Sequence, residues 1–151
     1  MKKPETYKEW MDCLDIVKCG SDDSTVLECM NQGTLQLDAG VGGRFAQNFS
    51  EAIEYRMERA SSKFQRANKF HNTSYDHLVR SILLLRKEYN YLIQLSKVPV
   101  IPADQSKKLV ELLISSADSI QESLEDSSIR LDRTGMLTRT IKTNRVDNLN
   151  V

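Results

Sequence analysis

Histidine, the side chain most often recruited for proton transfer and metal binding, occurs only twice in 151 residues, as His71 and His77. A turn-like stretch separates the two, and neither has a glutamate three residues before it, as a carboxylate-bridged metal centre in a helical bundle requires. No metal is expected. Cysteine is scarce too: Cys13, Cys19 and Cys29 stand at spacings of six and ten, unlike the close pairs of zinc and redox sites. They read as reduced thiols of a cytoplasmic protein, with Cys13 filling a helix face as a small hydrophobe. Runs of apolar residues are short, nowhere near the ~18 needed to span a bilayer. Met1-Lys2-Lys3-Pro4-Glu5 has no apolar stretch behind it, so neither a membrane span nor a signal peptide is expected.

Catalytic signatures are equally sparse. There is no Gly-x-Ser-x-Gly elbow. Gly40-Val41-Gly42-Gly43-Arg44 lacks the Lys-Ser/Thr ending and preceding strand of a phosphate loop, which leaves a flexible joint as its reading. The chain is therefore expected to be non-enzymatic, with no catalytic residue and no cofactor.

Six glycines and three prolines fall almost wholly between segments of helical period, and this punctuation specifies an all-α fold. A composition of 40% hydrophobic and 28% charged residues suits one globular domain. The first helix should begin with Pro4 at its first turn, carry Tyr7, Trp10, Met11, Leu14 and Val17 on one face and stop before Gly20. Ser21 or Asp22 should cap a second, with Val26, Leu27 and Met30 inward and Gly33 at its end. After a joint from Thr34 to Gly43, a third helix should run from Arg44 to His71. Its apolar side is Phe49, Ile53, Met57, Ala60, Phe64 and Ala67, opposite Glu51, Glu54 and Glu58.

Thr73 and Asp76 resemble a capping box for a fourth helix, which reaches about Lys97 on a face of Leu78, Ile82, Leu85, Tyr89, Leu92 and Ile93. Val98 to Pro102 should form a rigid, extended corner. A fifth helix then opens at Ala103 or Asp104 with Leu109, Leu112, Leu113, Ala117, Ile120 and Leu124 in one arc, and ends at Asp132-Arg133-Thr134-Gly135. The expected architecture is an antiparallel bundle of three long helices (44–133) with a short N-terminal helical pair (1–33) in one domain spanning 1–135. Residues 136–151 lack helical period and form a mobile or partner-ordered tail.

Two features point to surfaces. The fourth helix carries a second apolar stripe, Leu84, Tyr91 and Leu95, which needs cover from the N-terminal pair or from a twin chain. The other is charge. Lysine plus arginine equals aspartate plus glutamate at 21 each, but residues 41–97 hold ten basic and five acidic side chains while residues 98–128 hold two and six. Arg56, Arg59, Lys63 and Arg66 form a basic stripe along the third helix. It could meet Glu111, Asp118, Glu122 or Glu125 of the fifth helix, track a phosphate backbone together with the basic tail, or face an acidic protein partner.

Gly40-Val41 through Arg44-Phe45, Leu83-Leu84-Leu85-Arg86-Lys87-Glu88-Tyr89, Ala117-Asp118, Gln121, Ser123-Leu124-Glu125 and Asp132-Arg133-Thr134-Gly135 resemble a group of small, uncharacterised bacterial helical proteins over roughly residues 40–137. The resemblance implies a bacterial, cytoplasmic chain and assigns no activity or binding residue. The function expected is that of an adaptor or regulatory module working through an unknown protein partner or self-association, without a membrane. A nucleic-acid-binding accessory protein is the alternative.

Overall fold

In a computed structural model, residues 1–36, 41–67 and 75–125 are described, and among them every regular element is an α-helix. Helix α1 is Tyr7–Cys19, α2 Asp23–Gln32, α3 Val41–Ala67, α4 Tyr75–Leu95 and α5 Ala103–Glu125. The all-α expectation is met. None of these helices is long and apolar enough to cross a membrane.

The start of α1 differs from the expectation built on Pro4. Thr6 is the N-cap: its hydroxyl accepts the Glu9 N–H at 3.2 Å, and Glu9 Oε1 accepts the N–H groups of Thr6 at 3.1 Å and Glu5 at 3.3 Å. This reciprocal box satisfies donors that a helix start leaves without partners, so it outcompetes the preference of proline for a first turn. The Thr6 hydrogen bonds hold the Glu9 carboxyl below its usual range. Pro4 is instead buried ahead of the helix, where its carbonyl accepts the Thr34 N–H at 3.0 Å. Gly20 closes α1 in the left-handed region at φ 73°, donating its N–H to the Ile16 carbonyl at 2.9 Å.

In α2 the inward residues are Val26, Cys29 and Met30, whereas Leu27 is only half-buried. Helix α3 starts at Val41, so Gly42 and Gly43 belong to its first turn rather than to the joint. Its expected end at His71 lies outside the described residues. Phe45, Phe49, Ala52, Ile53, Met57 and Phe64 are buried; Ala60 is half-buried and Ala67 exposed. All six main-face residues of α4 are buried. The corner after α4 is not extended. The Val98 carbonyl accepts the Ile101 N–H at 3.0 Å, a β-turn with Pro99 at the position that favours proline's fixed φ. In α5 the buried set is Leu109, Val110, Leu113, Ile114, Ala117 and Ile120, while Leu112 sits half-buried at its edge. The end expected at Gly135 and the tail 136–151 lie outside the described residues.

The chain divides into two compact units, and α3, α4 and α5 each contribute residues to both. The first holds Met1–Arg56 and Gln94–Leu109. Its centre is aromatic: Trp10 meets Phe45 edge-to-face, centroids 5.4 Å apart at 78°, and Phe45 leans on Phe49 at 5.9 Å. The Trp10 indole N–H finds the Thr34 carbonyl at 2.9 Å. Polar stitches surround this cluster, Asn48 Nδ2 donating to Tyr7 Oη at 2.9 Å and Gln105 Nε2 donating to the Ala46 carbonyl at 2.8 Å.

The second unit holds Met57–Ile93 and the chain from Val110 onward. Its core joins Phe64 of α3, Leu78, Ile82, Leu85 and Tyr89 of α4, and Leu113, Ala117 and Ile120 of α5. A completely buried tyrosine needs a partner for its hydroxyl. Tyr89 Oη lies 2.5 Å from Ser116 Oγ and is also hydrogen-bonded to Ser61, so one phenol links α3, α4 and α5. Burial pushes its pKa up, and the phenol stays protonated.

Gly33 is required by space rather than by backbone angle, since its φ of −74° suits any residue. A Cβ there would stand 2.6 Å from Trp10 Cζ2 and 2.8 Å from Pro4 Cγ. Gly33→Ala should therefore cost about 1–3 kcal/mol through displacement of the packed indole. Urea unfolding followed by Trp10 fluorescence measures it; a variant as stable as the parent would show that the Trp10 ring and Pro4 can both give way without loss.

Candidate interaction surface

The four basic residues of α3 do not form one surface. Arg56 is 3% exposed. Its Nη1 and Nη2 each donate to one oxygen of Asp23 at 2.7 Å, and Nη1 also donates to the Val17 carbonyl at 3.0 Å. Each partner has a reason to be there. Val17 lies in the last turn of α1, where carbonyls have no partner within the helix. Asp23 is the first residue of α2, where the helix dipole favours a negative charge. A bidentate fork of this kind is what a planar guanidinium makes best. Arg56 is thus a structural clamp joining α3 to the end of α1 and the start of α2. Its carboxylate comes from the second helix and not from the acidic residues of the fifth.

Arg59, Lys63 and Arg66 are exposed on the part of α3 in the second unit, with spacings of four and three that keep them on one side. The exposed part of the stripe is therefore three residues, of which Arg59 already makes an interaction within the fold.

The apolar stripe of α4 is also redistributed. Leu95 is fully buried within the first unit, so it leaves the candidate surface. Tyr91 is half-buried. Leu84 is 66% exposed, and its neighbour Leu83, which the stripe did not include, is 43% exposed. On a helix of ~100° per residue Leu83 and Leu84 flank the line through Arg80 and Lys87, both exposed. The face is then Arg80, Leu83, Leu84 and Lys87, with Tyr91 one turn further on. Leu83 was detectable in principle: the same arithmetic places it opposite Leu85, on the side away from the main face.

Elsewhere the described residues offer little chemistry. Among the described residues, no group of three or more histidine, cysteine, aspartate or glutamate side chains is placed to hold a metal. His77 is exposed, and His71 lies outside the described residues. Lys97 Nζ, in the turn after α4, is buried without a hydrogen bond among the described residues, and burial lowers its pKa. An amine held that way opposes folding rather than adding to it. Cys13 and Cys29 are buried and Cys19 exposed, all as free thiols. Burial, helped by the proximity of Cys29, pushes the Cys13 thiol from 9.0 up to about 11.

No family model, curated protein or solved structure matches the chain.

Arg56→Ala should destabilise the protein by about 3 kcal/mol, because it leaves a carboxylate and a carbonyl short of their donor. Arg56→Met combined with Asp23→Ala should recover part of that loss, and a thermal-unfolding double-mutant cycle over the two positions should give a coupling of about 1–3 kcal/mol. Additive effects would mean that the fork contributes nothing. For the thiols, a disulfide reagent at neutral pH should modify Cys19 rapidly and Cys13 only on unfolding. Since the folded pKa of Cys13 is the raised one, its contribution to stability is complete below pH 9.0 and is lost as pH climbs through about 11. Cys13→Ala should flatten that alkaline limb; an unchanged limb would place its origin in another group.

Proposed function

We propose that this chain is a non-catalytic cytoplasmic module that acts through protein–protein contact on the outer face of α4. The observation that carries the reading is the exposure of Leu83 and Leu84, 43% and 66%, midway along a helix whose other leucines and isoleucines are buried. Adjacent exposed leucines in mid-helix, rimmed by polar side chains, make a small apolar patch of the kind that a protein partner buries. The reading includes the architecture proposed for the second unit, an antiparallel bundle of α3, α4 and α5, with α1 and α2 as a short helical pair in the first. The hydrogen bonds of Tyr89 to Ser61 and Ser116 support the bundle by bringing the three helices to one point. The face works only if α4 is held rigidly from behind, and the six buried residues of its main face do that.

The test is an affinity capture from native lysate with the parent and with the Leu83→Ser, Leu84→Ser double variant, alongside light scattering of both. Equal melting temperatures establish that the fold is intact. Proteins retained by the parent and lost by the variant, or self-association lost by the variant, support the reading. A monomer that retains the same proteins with or without the leucines refutes it.

A second reading, nucleic-acid binding, keeps Arg59, Lys63 and Arg66 as phosphate contacts and is favoured by their shared exposure. It is weakened by the loss of Arg56 to the clamp, by Glu58, exposed beside Arg59, and by the interaction that Arg59 already makes within the fold. Three contacts on duplex DNA give a salt slope of about 2.7. Titration of DNA and RNA at several salt concentrations, with the triple alanine variant alongside, decides it; no binding at low salt removes this reading.

A further inference from the structure

We infer that the occupant of the α4 face is an acidic amphipathic helix of another protein. The inference rests on the reading of α4 as an interaction surface and adds the chemistry of the partner.

Arg80, Leu83, Leu84 and Lys87 follow the spacing i, i+3, i+4, i+7, which an amphipathic helix lying along α4 can engage over two turns. The leucines supply apolar area at the centre, and exposed cations stand one turn to either side. Of the acidic residues of α4, Asp76 is exposed a turn before Arg80, and Glu88 is half-buried with an interaction already made inside the fold. The middle of the face is therefore positive around an apolar centre, and its complement is a helix with two or three apolar residues flanked by glutamate or aspartate.

Two other occupants fit less well, for a reason of sign. In an antiparallel pairing of two copies centred on this face, residue numbers opposite each other have a constant sum. Leu83 then meets Leu84 of the second copy, and Arg80 meets Lys87, so a two-fold dimer that buries the leucines also brings like charges together twice. The C-terminal stretch of the chain itself has the same defect: residues 129–151 carry five basic against two acidic side chains. A helix of opposite charge has neither cost.

The experiment is selection of a displayed random library of helix-length peptides against the full chain, with the Leu83→Ser, Leu84→Ser variant as the counter-target. Enriched peptides should be net acidic with apolar residues three and four apart. As synthetic peptides they should bind the Arg80→Glu, Lys87→Glu variant roughly tenfold or more weakly. Lysine-for-glutamate versions of the same peptides should show the reverse preference, a swap that misfolding cannot produce. Enriched peptides that are neutral or basic, or indifferent to charge reversal, overturn the inference while leaving α4 an interaction surface. Self-association broken by the leucine substitutions does the same. No enrichment over the counter-target, in a chain that is also monomeric, overturns both.

Discussion

A guanidinium cannot leave water unless its donors are met, and the position of Arg56 on the buried side of α3 sets that condition within the first unit. The condition fixes three helices at once. The end of α1 must bring the Val17 carbonyl within 3.0 Å, and the first turn of α2 must present both Asp23 oxygens at 2.7 Å. Gly20, in its left-handed conformation, makes the short reversal that brings those two helix ends together. Had Arg56 been an aliphatic residue, the same space could be filled in several registers. A charged fork accepts one.

The rest of the first unit is built to the same tolerance. Trp10 is held by an aromatic edge contact on one side and by a hydrogen bond to Thr34 on another, with Gly33 leaving room for its ring. The second unit relies more on apolar stripes, and Tyr89 is the point where a hydrogen-bonded side chain adds direction to them. Hydrophobic burial decides that helices associate, and polar contacts of defined geometry decide how. Behind the exposed face of α4 both kinds of interaction are present, the buried apolar stripe and the hydrogen bond of Tyr89 to Ser116.

Much of the helical content was legible because its signals are local. The buried main face of α4 follows from spacing alone, and the end of α1 from Gly20. Errors arose where two local signals competed. Pro4 and the Thr6–Glu9 box both offered a start for α1, and the reciprocal hydrogen bonds of the box prevailed. Val98 to Pro102 looked extended because proline restricts the residue before it, but Pro99 also favours the second position of a β-turn, and the Ile101 N–H completed that turn. The candidate surface was less legible: periodicity groups residues by side and does not say which side meets protein. Leu84 and Leu95 shared a stripe, yet one is exposed and the other buried.

The sequence by itself determined the class of the fold, the principal helices, the lack of a recognisable catalytic signature and the side of α4 that enters the core. These depend on residues within a few turns of one another, where geometry is set by the chain. Tertiary structure alone decided that Arg56 is a clamp rather than a surface cation, that Gly33 is needed for space, and that Leu83 joins Leu84 on an open face. Each of those outcomes depends on which distant segment approaches, and a charge, a glycine or a leucine has the same covalent neighbours whether or not that segment arrives.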